Sequence, residues 1–205
     1  MDNKTLKIFT DPIYKNNPIT VQVLGVCSAL AVTVKLQPAV VMALSLIFVT
    51  VLSNVIISLI RNFIPQRIRI IVQLLIVAAL VIIIDLILKA FAFNISKELS
   101  VFVGLIITNC IIMGRIEAFA LSNKVSHVFL DSLGNGIGYG LILVIISFFR
   151  EIIGSGTIWN FQVVPEKLYE FGYINNSLMI LPPMTLIIIG VIISIQKYKS
   201  ERQVK

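Results

Sequence analysis

The chain has 205 residues, of which 58% are hydrophobic and 13% charged, with a mean hydropathy of +0.98. A soluble domain carries about 45–50% apolar and about 25% charged residues, so a soluble enzyme, a disordered tail and a small secreted scaffold are all excluded. The net charge of +7 falls between apolar runs and at the two ends, forming no basic face, which argues against nucleic acid and for a polytopic membrane protein.

A spanning helix needs about 20 mostly apolar residues, with a range near 17–25. Six predicted spans follow in chain order: Pro18–Val34, Ala39–Ile60, Ile70–Phe91, Leu99–Gly114, Ser132–Phe149 and Ser177–Gln196. Only the third contains charged residues. The first and fourth are short, at 17 and 16 residues, and each holds one of the two cysteines, Cys27 and Cys110. Turn signals sit at Pro38 and Pro65, and two longer loops are expected at about 115–131 and 150–176. Residues 1–205 form a single all-α membrane domain on this reading, with halves at roughly 1–95 and 96–205. Counting Lys and Arg on alternate sides places 12 of the 17 on one side and 5 on the other, so both termini are predicted to be cytoplasmic.

The two halves resemble each other. Ile57-Ser58-Leu59-Ile60-Arg61-Asn62-Phe63-Ile64 ends the second span, and Ile146-Ser147-Phe148-Phe149-Arg150-Glu151-Ile152-Ile153 ends the fifth; they agree at four of eight positions. Cys27 and Cys110 occupy equivalent places in the first and fourth spans. With three spans per half, the second copy enters the membrane upside down, giving a 3+3 inverted repeat about an axis in the membrane plane.

In such repeats, paired short, interrupted segments mark a site near the midplane. Gly25 precedes Cys27, and Thr108-Asn109 precede Cys110, so both segments can break and the axis brings the two sulfurs together. A structural zinc or an iron–sulfur centre normally takes four protein ligands. This chain supplies two thiols, so a bound metal would need a further protein chain. A disulfide and two buried small hydrophobes are the alternatives that spacing leaves open.

At these residues the chain resembles a known family. Asn17-Pro18, Leu24-Gly25-Val26-Cys27-Ser28-Ala29-Leu30-Ala31-Val32-Thr33 and Ser100-Val101-Phe102-Val103-Gly104-Leu105-Ile106-Ile107-Thr108-Asn109-Cys110 carry the likeness. So do Met113-Gly114-Arg115, Glu117-Ala118-Phe119-Ala120, Gly134-Asn135-Gly136 and Phe149-Arg150-Glu151. They are similar to the D-type and E-type membrane subunits of the Na⁺-translocating NADH:quinone oxidoreductase, the D type above all, and to their counterparts in the Rnf electron-transport complex. Ser28 after the first cysteine favours the quinone reductase, whereas Pro182-Pro183 is more Rnf-like.

The resemblance implies a protein of the bacterial inner membrane that pairs pseudo-symmetrically with the paralogous E-type subunit and shares with it an iron–sulfur cluster, [2Fe-2S]. Its ligands here would be Cys27 and Cys110, and Ser28, Thr108 and Asn109 are candidates to hydrogen-bond around them. FAD, FMN, riboflavin and a further [2Fe-2S] cluster, together with the NADH and quinone sites, would belong to other subunits. Nucleic acid has no part in it. The role implied is an electron relay across the membrane coupled to Na⁺ export. A small inverted-repeat secondary transporter is the alternative from a different class, and a structural subunit with idle thiols is a third.

The remaining polar residues offer fewer choices. Asp85 is the acid well inside an apolar run, either on an ion path or paired with Lys89 at i+4. Asp131 either guards a Na⁺ entrance or caps the fifth span. Gly134, Gly136, Gly138 and Gly140 make two overlapping GxxxG patterns for close helix packing. His127 is expected in a polar loop. Arg115, Glu117, Arg150 and Glu151 are expected at membrane edges and subunit contacts, and Trp159, Tyr169 and Tyr173 in an aromatic belt.

Overall fold

After Lys35 the chain runs for 25 residues without a glycine or a charge, and its proline, Pro38, falls at the third helical position. There its missing N–H forfeits no intrahelical bond, so the run forms one unbroken helix. A computed structural model describes residues 8–12, 16–91, 104–158, 161–162 and 180–204. Among these residues the protein is almost wholly helical. α1 is Val26–Val32, α2 Leu36–Ile60, α3 Arg69–Phe91, α4 Cys110–Arg115, α5 Val125–Ser155 and α6 Pro182–Val204. Short helical turns cover 8–12 and 104–107. β1 (Thr157–Ile158) and β2 (Phe161–Gln162) form a small antiparallel ladder.

Among the described residues three helices are long and apolar enough to cross a membrane, over Leu36–Ile60, Gln66–Ala90 and Val125–Ser155, and Pro182–Tyr198 is a shorter apolar helix. Several predicted boundaries change. The first predicted span is helical only over α1, because the turns at 16–25 pass through two left-handed residues, Val23 (φ 54°) and Gly25 (φ 76°). α5 is far longer than Ser132–Phe149; it starts after Lys124 and stops at Gly156 (φ 67°), whose N–H bonds Ile152 O at 3.0 Å. That left-handed glycine is a common helix stop. Residues 99–103 of the fourth span, 177–179 of the sixth, the junction of the two halves, and Trp159, Tyr169 and Tyr173 lie outside the described residues.

α2 and α5 are the central pair and share the most extensive contact in the fold. They run antiparallel, with Gly136 against Ile47 and Gly140 against Ala43, while Asn54 Nδ2 donates to Ser132 Oγ at 2.6 Å further along. A Cβ at Gly136 would lie 3.0 Å from Ile47 Cγ1, and one at Gly140 3.2 Å from Ala43 Cβ. Gly134 faces the turn at 8–12, where a Cβ would meet Phe9 O at 2.6 Å. The glycine stripe is therefore a packing surface, as its spacing suggests.

Two apolar clusters flank α2. One joins it to α3 through Met42, Val49, Ile57, Val77, Val81 and Ile84; the other joins it to α5 and α6 through Leu46, Tyr139, Leu143, Ile146 and Ile189. α3 is peripheral, with only 17% of its apolar window buried against 56% for α2 and α5. Its outer face carries Ile71, Leu75, Ile82 and Leu86, and such a surface is stable only in lipid or against another protein chain.

The two segments that match in sequence begin in the last turns of α2 and α5. Ile57 and Ile146 are 89 positions apart, and so are Ile47 and Gly136, which touch at the middle of the α2–α5 contact. The matched arginines act alike at opposite ends of the pair. Arg61 Nη1 donates to Leu121 O (3.2 Å) and Asn123 O (2.7 Å) in the link from α4 to α5. Arg150 Nη1 donates to Thr33 Oγ1 (2.6 Å) in the link from α1 to α2, and its Nη2 to Ile180 O (2.6 Å).

Candidate functional site

The two cysteines sit on the two interrupted segments. Cys27 is the second residue of α1, entered from Gly25, and Cys110 is the first residue of α4, entered from Asn109. Gly25 is required twice over. Its φ is one that a β-carbon resists, and a Cβ there would lie 2.6 Å from Ile111 Cδ1 and 3.0 Å from Tyr139 Cε2. That close approach lets the start of α1 lie against the start of α4. The thiols are near enough to influence each other electrostatically, and both are exposed on the surface of the chain. Cys27 and Ser28 lie in the first turn of α1, whose backbone N–H groups lack intrahelical acceptors.

Beneath the exposed thiols lies a buried polar cluster. Ser28 Oγ donates to Gly25 O at 2.9 Å, accepts from Asn109 Nδ2 at 3.1 Å, and meets Tyr139 Oη at 2.6 Å. Ser28, Asn109 and Tyr139 are at most 1% exposed. Asn109 also caps α4, its Oδ1 accepting from Ile111 N at 3.2 Å. Thr108 stands apart, exposed and bonded within its own turn to Gly104 O at 3.5 Å. Of the three candidate neighbours of the thiols, Ser28 and Asn109 come together and Thr108 does not.

The two candidate acids are paired. Asp85 Oδ2 takes Lys89 Nζ at 2.6 Å, four residues on. Asp131 is 4% exposed and accepts two bonds from Arg115, one from Nε at 3.0 Å. Because α5 begins at Val125, Asp131 lies well inside the helix and is not its cap. Arg115 also stacks over Phe119, 5.4 Å from the ring centre, at the start of the π-helical stretch Ile116–Ala120. Glu117 binds Arg69 and Gln73 from α3.

Three further positions differ from expectation. His127 is in the first turn of α5 instead of a loop, because the helix starts two residues ahead of it. Arg150 and Glu151 are 1% and 5% exposed, so they are interior struts: Glu151 Oε2 accepts Leu36 N at 2.5 Å and fixes the start of α2. Tyr139 is not singled out by any sequence motif. Its one signal is a phenol inside a predicted span, where a buried hydroxyl must find a partner.

A donor set of two thiolates suits a soft metal centre, and two is half of the usual four. Among the described residues no group of three or more His, Cys, Asp or Glu side chains is close enough to hold a metal alone. The residues therefore fit half of a shared centre. A model of the Rnf-Nqr family, described as Rnf-Nqr subunit, membrane protein, matches residues 5–193. The chain belongs to this family. Curated relatives are similar to it over nearly their whole length. It is 54% identical over 191 residues to the D subunit of the Na(+)-translocating NADH-quinone reductase of Psychromonas ingrahamii, covering 93% of this chain and 91% of that one. The protein of that name from Shewanella sp. (strain W3-18-1) is 53% identical over 98% of this chain and 97% of its own. The one from Haemophilus influenzae (strain PittGG) is 55% identical over 95% and 94%.

Proposed function

We propose that the chain is the D-type membrane subunit of a bacterial Na⁺-translocating NADH:quinone reductase, supplying half the ligands of an iron–sulfur centre within the membrane. The observation that carries this is the pair of adjacent thiols, exposed on one surface with no third ligand among the described residues. A pseudo-symmetric partner of the E type, presenting a similar pair, would complete a four-thiolate set. An iron–sulfur cluster held there would supply one-electron transfer near the middle of the bilayer.

The chain's own residues do the rest. Gly25 and Asn109 break the two segments so that Cys27 and Cys110 converge, and irregular backbone at membrane depth is tolerable because protein surrounds it. Three observations support a 3+3 inverted repeat: the contact of Ile47 with Gly136, the matched anchoring of Arg61 and Arg150, and the meeting of the two thiols. Each joins a residue of one half to the other half, and a two-fold axis through the α2–α5 contact and the sulfur pair relates them. Placement in the inner membrane with cytoplasmic termini follows from this reading and from the distribution of Lys and Arg.

Asp85 and Asp131 belong to the Na⁺ path in the same proposal. Asp131 is the stronger of the two, because its carboxylate is buried and its cation partner, Arg115, sits beside the π-helical turn that extends the Cys110 segment. Sodium would have to replace that partner, so Asp131→Asn should raise the Na⁺ concentration needed for half-maximal turnover. An unchanged Na⁺ dependence removes Asp131 from the path.

The relay is tested by Cys27→Ser and Cys110→Ser in the intact complex. Both should abolish NADH-driven quinone reduction while NADH still reduces an artificial acceptor at the NADH-oxidising end. Normal quinone reduction in both variants would overturn the relay and leave the transporter or scaffold reading.

A further inference from the structure

The phenol of Tyr139 is fully buried among Ile111, Leu143 and Ala29, on the middle of α5. A hydroxyl in such surroundings is costly unless bonded. Ser28 Oγ meets Gly25 O, Asn109 Nδ2 and Tyr139 Oη, and Tyr139 Oη also has Gly25 O at 3.5 Å as an acceptor. Ser28 is thus saturated, and its partners come from the turn before Cys27, the turn before Cys110 and α5.

We propose that Tyr139 is a positioning residue for the two thiols, its hydroxyl holding Ser28 so that the break before Cys27 stays locked to the break before Cys110. This rests on the reading that Cys27 and Cys110 hold half of an iron–sulfur centre. Tyr139 acts through Ser28, which follows Cys27 in the first turn of α1, where backbone N–H groups lack intrahelical acceptors and can turn to a ligand sulfur. Hydrogen bonds to ligand sulfur help set a cluster's potential, because they stabilise the more negative, reduced state.

The device is one-sided. The position 89 residues before Tyr139 is Thr50, also buried, but its hydroxyl turns back to Leu46 O at 2.7 Å on its own helix. The pseudo-symmetry of the proposed reading is therefore broken beneath the thiols: α5 contributes a hydroxyl to the support of Cys27, while the Thr50 hydroxyl of α2 stays on its own helix.

The test uses the whole complex. Tyr139→Phe keeps the ring and removes the hydroxyl, so iron and sulfide should be retained while the midpoint potential of the cluster falls and its EPR line shape changes. Ser28→Ala should do the same, and the double variant should show no further change, because both act through one hydroxyl. Thr50→Val should leave the potential unshifted, which separates the effect from a general loss of core hydrogen bonds. An unaltered potential and line shape in Tyr139→Phe, in a complex whose signal disappears with Cys110→Ser, would overturn the positioning role alone. Independent, additive shifts from Tyr139→Phe and Ser28→Ala would overturn it too. A signal that survives Cys110→Ser would overturn the shared-centre reading and this role with it.

Discussion

Single residues show where chemistry forced the chain away from regular helix. Gly25→Ala introduces a β-carbon at a positive φ and within 2.6 Å of Ile111, and a residue held in such a conformation costs about 1–3 kcal/mol. The expected result is a chain that still inserts but a complex that has lost iron, measured per mole of purified protein. Iron retained at the native level would show that the α1 break tolerates a side chain. The Arg115–Asp131 pair makes a second case, since both side chains are at most 14% exposed. Removing one partner of a buried pair costs about 3–5 kcal/mol, whereas replacing both by apolar residues is often neutral. Arg115→Met should therefore lower the apparent Tm of the complex, and Arg115→Met with Asp131→Leu should restore it. A double variant as unstable as the single one would show that the charge itself is required. At this scale the sequence was legible where partners are local: Asp85 and Lys89 are four apart on one helix and bond as helical spacing requires. It was opaque where partners are remote. Nothing in the neighbourhood of Asp131 names Arg115, and nothing near Tyr139 names Ser28, 111 positions away.

Elements were read well where hydropathy alone defines them. α2 and α3 occupy nearly the stretches that apolar runs mark out. α5 was underestimated because hydropathy stops at the polar residues Asp131 and Arg150, yet both are satisfied inside the fold and the helix continues past them. α1 was overestimated for the converse reason: an apolar run reports burial, and carries no warning that Val23 and Gly25 leave the helical region. The glycine stripe of α5 gives the prediction at this scale. Gly136→Leu would force bulk against Ile47, already 3.0 Å from where a Cβ would stand, and overpacking of this kind costs about 1–3 kcal/mol. The apparent Tm should fall for Gly136→Leu, while Gly190→Leu on α6, where a Cβ meets nothing within 4 Å, should leave it near native. Equal loss from both would show that α2 and α5 do not depend on that contact.

The whole molecule joins these scales into one arrangement. Two antiparallel helices form the centre, two interrupted segments meet beside them, and the outer face of α3 is left to lipid or to a neighbour. Cys27 and Cys110 lie at the starts of α1 and α4, which Gly25 lets come together; a two-fold axis relating the halves belongs to the proposed reading. In the proposed reading the site is completed from outside this chain, because the described residues offer two thiols and no third ligand. The most direct measurement is iron and acid-labile sulfide in the purified complex, native against Cys110→Ser, with subunit composition checked in both. The account predicts that the variant loses one cluster's worth of iron and sulfide while every subunit remains. Iron and sulfide at native levels in a fully assembled Cys110→Ser complex would contradict it.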